Sequence, residues 1–149
     1  MRVVIQRVNS ASVDVDGKLV SSISKGLLVL VGIRSGDMDS DIDYIIKKIL
    51  NIRIFESQKS FMDKCVQDLG LEILCVSQFT LYGNCNKGNR PSFDKAMSPK
   101  EAKLFYDKFL EKLKQNYSKV SDGIFGAYMQ VSLVNDGPVT IILDSSKEI

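Results

Sequence analysis

Apolar and polar positions alternate from Val3 to Val8 and again from Ala11 to Val15, the period of strands with one buried face. Asp16-Gly17 is a two-residue hairpin signal, and Lys18 to Ile23 supply the returning strand. Leu27 to Ile33 is apolar throughout, which predicts a strand covered on both faces. The period then changes. Ile42, Ile45, Ile46 and Ile49 share one helical face, so a helix starts near Asp39 or Ser40. Asp39, Asp41 and Asp43 crowd its beginning and Lys47 and Lys48 its end, each sign matching the helix dipole. Asn51 to Phe55 resumes extended structure, Glu72 to Ser77 is a second apolar strand, and Gln78 to Leu81 follows directly. Tyr82 to Pro91 holds Gly83, Asn84, Asn86, Gly88 and Asn89 and reads as a loop. Ser98-Pro99-Lys100-Glu101 predicts a capping box with proline at the first helical position. Ala102, Phe105, Phe109 and Leu113 then face the core. Ala127 to Asn135 and Val139 to Leu143 form a predicted hairpin around Asp136-Gly137-Pro138. With no repeat or linker, residues 1–149 read as one strand-rich α/β domain.

Composition narrows the chemistry. The 44% apolar and 26% charged residues are those of a globular chain, and no apolar run approaches the roughly 20 residues of a membrane span. The first residues turn polar too soon for a secretory leader, so a cytoplasmic address is expected. Cys65, Cys75 and Cys85 match no CxxC pair, which predicts reduced thiols and neither a disulfide framework nor a zinc site. Asp37, Asp39, Asp41 and Asp43 lack the glycine and distal glutamate of a calcium loop and are better read as a helix start. No metal or cofactor is expected. A net charge of +2 argues against a broad polyanion-binding surface, though a local basic patch can still touch a few phosphates. Above all, the chain has no histidine. Serine and cysteine triads, HExxH zinc sites and imidazole bases are therefore excluded within one chain.

Two segments stand out. Ser77-Gln78-Phe79-Thr80 is a polar set at the end of an apolar strand. Alternation puts Ser77 and Phe79 on one face and Gln78 and Thr80 on the other, unless the strand bends. Either these groups carry function, or they satisfy backbone groups at a strand end. In Asn135-Asp136-Gly137-Pro138-Val139-Thr140 the proline cannot donate to a ladder, so the Gly-Pro bond belongs at a turn or an exposed edge. Glycine before it permits close approach to another molecule; a plain hairpin turn is the competing explanation. Lys87, Arg90 and Lys95 make the glycine-rich loop locally basic, suited to phosphate contacts or simply solvated.

Both segments, in this order, resemble the two signature motifs of the D-aminoacyl-tRNA deacylase family. The resemblance spans essentially the whole chain, through Arg7-Val8, Ala11-Ser12-Val13, Arg53-Ile54-Phe55, Lys87-Gly88-Asn89-Arg90-Pro91-Ser92-Phe93 and Gly123-Ile124-Phe125-Gly126-Ala127. It departs from the family's pattern at Asp63 and Cys65, where relatives usually carry asparagine and serine, and at Asn89, where arginine or lysine is common. The resemblance implies a mixed, largely antiparallel fold with two main helices, and a homodimer with active sites at the subunit interface. Ser77, Gln78, Phe79 and Thr80 would form the catalytic segment of one subunit. Gly137 and Pro138, in cis, would reach in from the other, braced by Arg7. Ala102, Phe125 and Met129 match pocket positions, and Lys87 and Arg90 are candidates for tRNA contact. The implied partner is the acceptor end of D-aminoacyl-tRNA, with neither membrane nor DNA involved.

The implied reaction is hydrolysis of an aminoacyl ester, with the L-enantiomer sterically excluded and glycyl-tRNA also cleaved. Without histidine, backbone amides near Phe79 and Thr80 and the ribose 2′-hydroxyl are the expected catalytic groups; Thr80 as nucleophile is the rival. An inactive RNA-binding module of the same fold is the alternative from another class.

Overall fold

Two long strands form the spine of the computed structural model, which describes residues 1–149. The first, β1 (Arg2–Val15), pairs antiparallel with the last, β6 (Gln130–Asp144), from Arg2 opposite Asp144 to Asp14 opposite Gln130. The other edge of β1 is shared. Its first half pairs with β3 (Gly26–Gly32) and its second half with β2 (Lys18–Ile23). Strands β4 (Glu72–Ser77) and β5 (Val120–Asp122) extend the sheet in parallel beyond β3. Parallel neighbours need crossovers, and α1 (Asp39–Asn51) and α2 (Pro99–Asn116) supply them. The sheet is thus mixed, as expected for this fold class, with antiparallel pairing around β1 and parallel pairing beyond β3.

The periodicities explain the two cores. Val3 and Ile5 of β1, Leu27, Val29 and Val31 of β3, and Ile73 and Cys75 of β4 face the helices. There they meet Ile42, Ile45, Ile46 and Ile49 of α1 and Tyr106, Phe109 and Leu113 of α2. On the opposite sheet face, Leu28, Leu74 and Val76 are covered by Val8, Ala11 and Val13 from the second half of β1, together with Ile23. The first strand therefore bends between its halves and curls the sheet towards a barrel. Strand β3 is buried along nearly its whole length, as its unbroken apolar run predicts.

Four readings need correction. The last 15 residues of sheet are one strand, not a hairpin: both halves of β6 hydrogen-bond to β1, so neither folds back on the other. Asp136 to Val139 instead step out of the ladder between Thr140, opposite Gln6, and Asn135, opposite Val8. The extension of β4 into Gln78–Leu81 is replaced by a 3-10 turn, Phe79–Tyr82. Asn51 belongs to α1, and the segment after it pairs only through a bridge between Phe55 and Lys64. At the start of α2, Ser98 Oγ donates to the Glu101 carboxylate at 2.5 Å, so the reciprocal backbone bonds of a capping box do not form.

Candidate active site

Ser77 ends β4 opposite Val31, and the Gln78 N–H donates to the Val31 carbonyl at 2.7 Å before the chain turns. The turn is possible because β3 ends in glycine. A Cβ on Gly32 would lie 3.1 Å from both the Gln78 oxygen and Leu81 Cβ. Tyr82 is buried at the end of the turn, under the Arg2 guanidinium at 4.9 Å. This anchoring pushes Phe79 and Thr80 outward, and both are exposed. The Phe79 ring is held by an edge-on contact with Phe93 at 4.9 Å. Hydrogen bonds around the turn leave from the amides of Gln78, Leu81 and Gly83. As the first residues of the turn, Phe79 and Thr80 have N–H groups with no acceptor within it. The Gln78 amide nitrogen donates to Thr80 Oγ1.

Beside this turn lies a cavity of about 610 Å³. Ser77, Gln78 and Phe79 form one wall, Met97 and Ala102 at the start of α2 a second, and Phe125 and Met129 a third. Phe125 is backed by Tyr106, with ring centroids 5.6 Å apart, and Met129 packs against the smaller core. No carboxylate, lysine, arginine or cysteine lines this space; Tyr128 is its one ionisable side chain. Its polar equipment is hydroxyl, amide and backbone. No group of three or more metal-ligating side chains converges anywhere in the chain. The aspartate run at α1 is occupied otherwise: Asp41 accepts the Met38 N–H, while Asp39 and Asp43 pair with Lys108 and Lys112 of α2.

The structure thus brings Ser77, Gln78, Phe79, Ala102, Phe125 and Met129 together, with Thr80 just outside the cavity wall. It does not bring Gly137, Pro138 or Arg7 to this cavity within one chain. Arg7 pairs with Leu27 at one end of β3, whereas Ser77 pairs with Val31 towards the other. Four residues along a strand and two inter-strand spacings across separate Arg7 from Ser77 by roughly 16 Å.

The second constellation has its own geometry. The Gly137-Pro138 bond is cis, and Gly137 has φ of +125°, a conformation that side chains disfavour. Arg7 is buried beneath it. Its Nε donates to the Asp136 carbonyl at 3.0 Å and lies 3.3 Å from that residue's carboxylate, while Nη1 donates to the Ile54 carbonyl at 2.6 Å. A Cβ on Gly137 would stand 3.0 Å from Nη2. Gly137 and Pro138 themselves are exposed. Lys87 and Arg90 lie in an exposed loop closed by mutual hydrogen bonds between Asn84 and Ser92.

Sequence reasoning did not single out Phe93 and Met97 as cavity residues, nor Tyr106 behind Phe125. Tyr106 and Phe109 share the helical face of Ala102, so the period alone contains that signal.

The fold is that of a known class of hydrolase. The profile of the D-Tyr-tRNA(Tyr) deacylase family matches residues 4–144. A D-aminoacyl-tRNA deacylase of Thermosipho melanesiensis is 54% identical over 148 residues, covering 99% of both chains. One of Clostridium botulinum is 52% identical over 147 residues, again with 99% of each covered. Among solved structures, one described as a c-Myc DNA unwinding element binding protein superposes with a TM-score of 0.92 at 48% identity, over 97% of this chain and 98% of that one. A probable eukaryotic D-amino acid tRNA deacylase shares the fold at 18% identity, with a TM-score of 0.82 over 95% and 97% of the two chains. The chain belongs to the D-Tyr-tRNA(Tyr) deacylase family and is a hydrolase.

Proposed function

We propose that this chain hydrolyses the ester of D-aminoacyl-tRNA, releasing the D-amino acid and tRNA, and so serves as a chiral proofreader in the cytoplasm. The observation that carries the reading is a cavity lined by no carboxylate, lysine, arginine or cysteine, beside a turn whose first amides have no acceptor within it. An aminoacyl ester on a ribose is reactive, so positioning and oxyanion stabilisation suffice; one donor contributes roughly 10²–10³ in rate. The Phe79 and Thr80 amides face the ester carbonyl, and the adjacent 2′-hydroxyl assists the attacking water. Ser77 and Gln78 shape the wall, Ala102, Phe125 and Met129 receive the terminal nucleoside, and Lys87 and Arg90 contact nearby phosphates.

The active unit in this reading is a homodimer. Support comes from β6, which pairs only with β1 and leaves its other edge free, with Leu133, Val134 and Ile142 exposed beside it. Such an edge is a template for pairing with another chain. The Gly137-Pro138 protrusion of one subunit then enters the cavity of the other, where its carbonyls hold the amine of the D-residue. Arg7 fixes those carbonyls. An L side chain would collide with them, so selection is by exclusion. Glycine has no side chain to exclude, and its ester is cleaved too.

Matched D- and L-aminoacyl-tRNA, with glycyl-tRNA as achiral control, test this. Release of the D-ester and the glycyl ester with survival of the L-ester supports it. The structure described as a DNA unwinding element binding protein, 48% identical, favours a second reading as a nucleic-acid-binding module. Survival of all three esters with tRNA still bound would select that one.

A further inference from the structure

We propose that Phe61 is a positioning residue for the Gly137-Pro138 protrusion, acting through the Arg7 guanidinium; this rests on the deacylase reading above. Phe61 is 54% exposed, yet its ring lies over Arg7, with the guanidinium carbon 4.9 Å from the ring centroid. Arg7 spends its Nε and Nη1 donors in its own plane, on the carbonyls of Asp136 and Ile54. Those two bonds leave the guanidinium free to tilt about the line joining them. A ring on its face removes that freedom and excludes water from the cation, which strengthens the in-plane bonds.

One short segment delivers both restraints. Ile54 supplies the acceptor, and directly after it Phe55 and Lys64 pair through bonds of 3.0 and 2.9 Å to close a loop. Within the loop, Ser57 Oγ donates to the Asp63 carboxylate at 2.6 Å and the Ser57 N–H to the Ser60 carbonyl at 2.9 Å. Phe61 lies within this braced loop, between Ser60 and Asp63. It does not line the 610 Å³ cavity. Within the chain, its route to the chemistry runs through Arg7, to the Asp136 carbonyl and on to Gly137. Lys25, whose Nζ is 4.0 Å from the Asp136 carboxylate, shares that carboxylate but cannot replace a ring on the guanidinium face.

The test compares wild type, Phe61→Ala, Phe61→Leu and Phe61→Tyr. The readouts are kcat/KM on D- and L-aminoacyl-tRNA carrying one amino acid, the melting temperature, and the exchange rate of the Arg7 Nε proton by NMR. Expected are a fall of about fivefold in the D-over-L ratio and faster proton exchange for the alanine and leucine variants, both restored by tyrosine. An unchanged ratio in Phe61→Ala and Phe61→Leu overturns the proposal when wild type releases the D-ester, even if the melting temperature falls. If wild type releases no D-ester, the deacylase reading fails first and takes this inference with it.

Discussion

Arg2 and Asp144 stand directly opposite each other where the first and last strands meet, and Nε and Nη2 of Arg2 both donate to one Asp144 oxygen, at 3.1 and 2.9 Å. The same guanidinium donates through Nη1 to the Leu81 carbonyl at 3.0 Å, inside the turn that presents Phe79 and Thr80. Burial opposes the charge on Asp144, but hydrogen bonds from Ser146 and Arg2 outweigh it and hold the carboxyl below its ordinary range. A depressed carboxylate contributes stability above its unfolded value, about 4, and loses it as pH falls through the lower folded value. Unfolding by urea across acid pH should show this loss. In Asp144→Asn the wild-type advantage at neutral pH should vanish, and the curve should flatten between the two values.

The pairing of Arg7 with Asp136 predicts an asymmetry. Arg7→Met strands the Ile54 carbonyl and the partly buried Asp136 carboxylate and should cost about 2–4 kcal/mol. Asp136→Asn leaves the carbonyl acceptor in place and should cost less than about 1 kcal/mol. Equilibrium denaturation of both single variants and the double variant checks this.

Thr80 separates the two ester-cleavage mechanisms. Its hydroxyl accepts from an amide, and no carboxylate, lysine or arginine lines the adjoining cavity to take its proton. Thr80→Ala should therefore keep turnover within about tenfold of wild type, whereas an obligatory nucleophile lost would leave almost none. Single-turnover assays, with tRNA binding measured in parallel, decide between them.

The three thiols should differ sharply. Cys65 and Cys75 are buried and Cys85 is exposed in the loop after the Phe79 turn. Burial pushes the Cys75 thiol well above its usual range, which suppresses the reactive thiolate. A maleimide reagent should modify Cys85 alone in native protein, with the other two reacting only after denaturant is added. Mass spectrometry of peptides from a timed reaction gives the answer.

Much of this was legible in the residues. The isoleucine face of α1 and the unbroken apolar run of β3 state their environments directly, because burial there follows local period. The course of β6 was not. Asp136-Gly137-Pro138 carries the chemistry of a turn, and nothing local reveals that a 14-residue partner strand collects both flanks. The bend after Ser77 was equally hidden, since it depends on Gly32, far away in sequence, making room beneath it. The cavity wall at Phe93 and Met97 comes from loop packing that has no period to read.

The protrusion at Asp136–Val139 has a fixed arithmetic. Rungs of the ladder resume on both sides of it, and beyond it Ile141 and Leu143 pack against the core while Thr140 and Ile142 are exposed. Adding or removing one residue would reverse the parity of everything after it, turning Ile142 inward and Ile141 outward. The segment can therefore change its side chains more freely than its length. How far Gly137-Pro138 projects is set by counting, much as a gauge is set by its spacer.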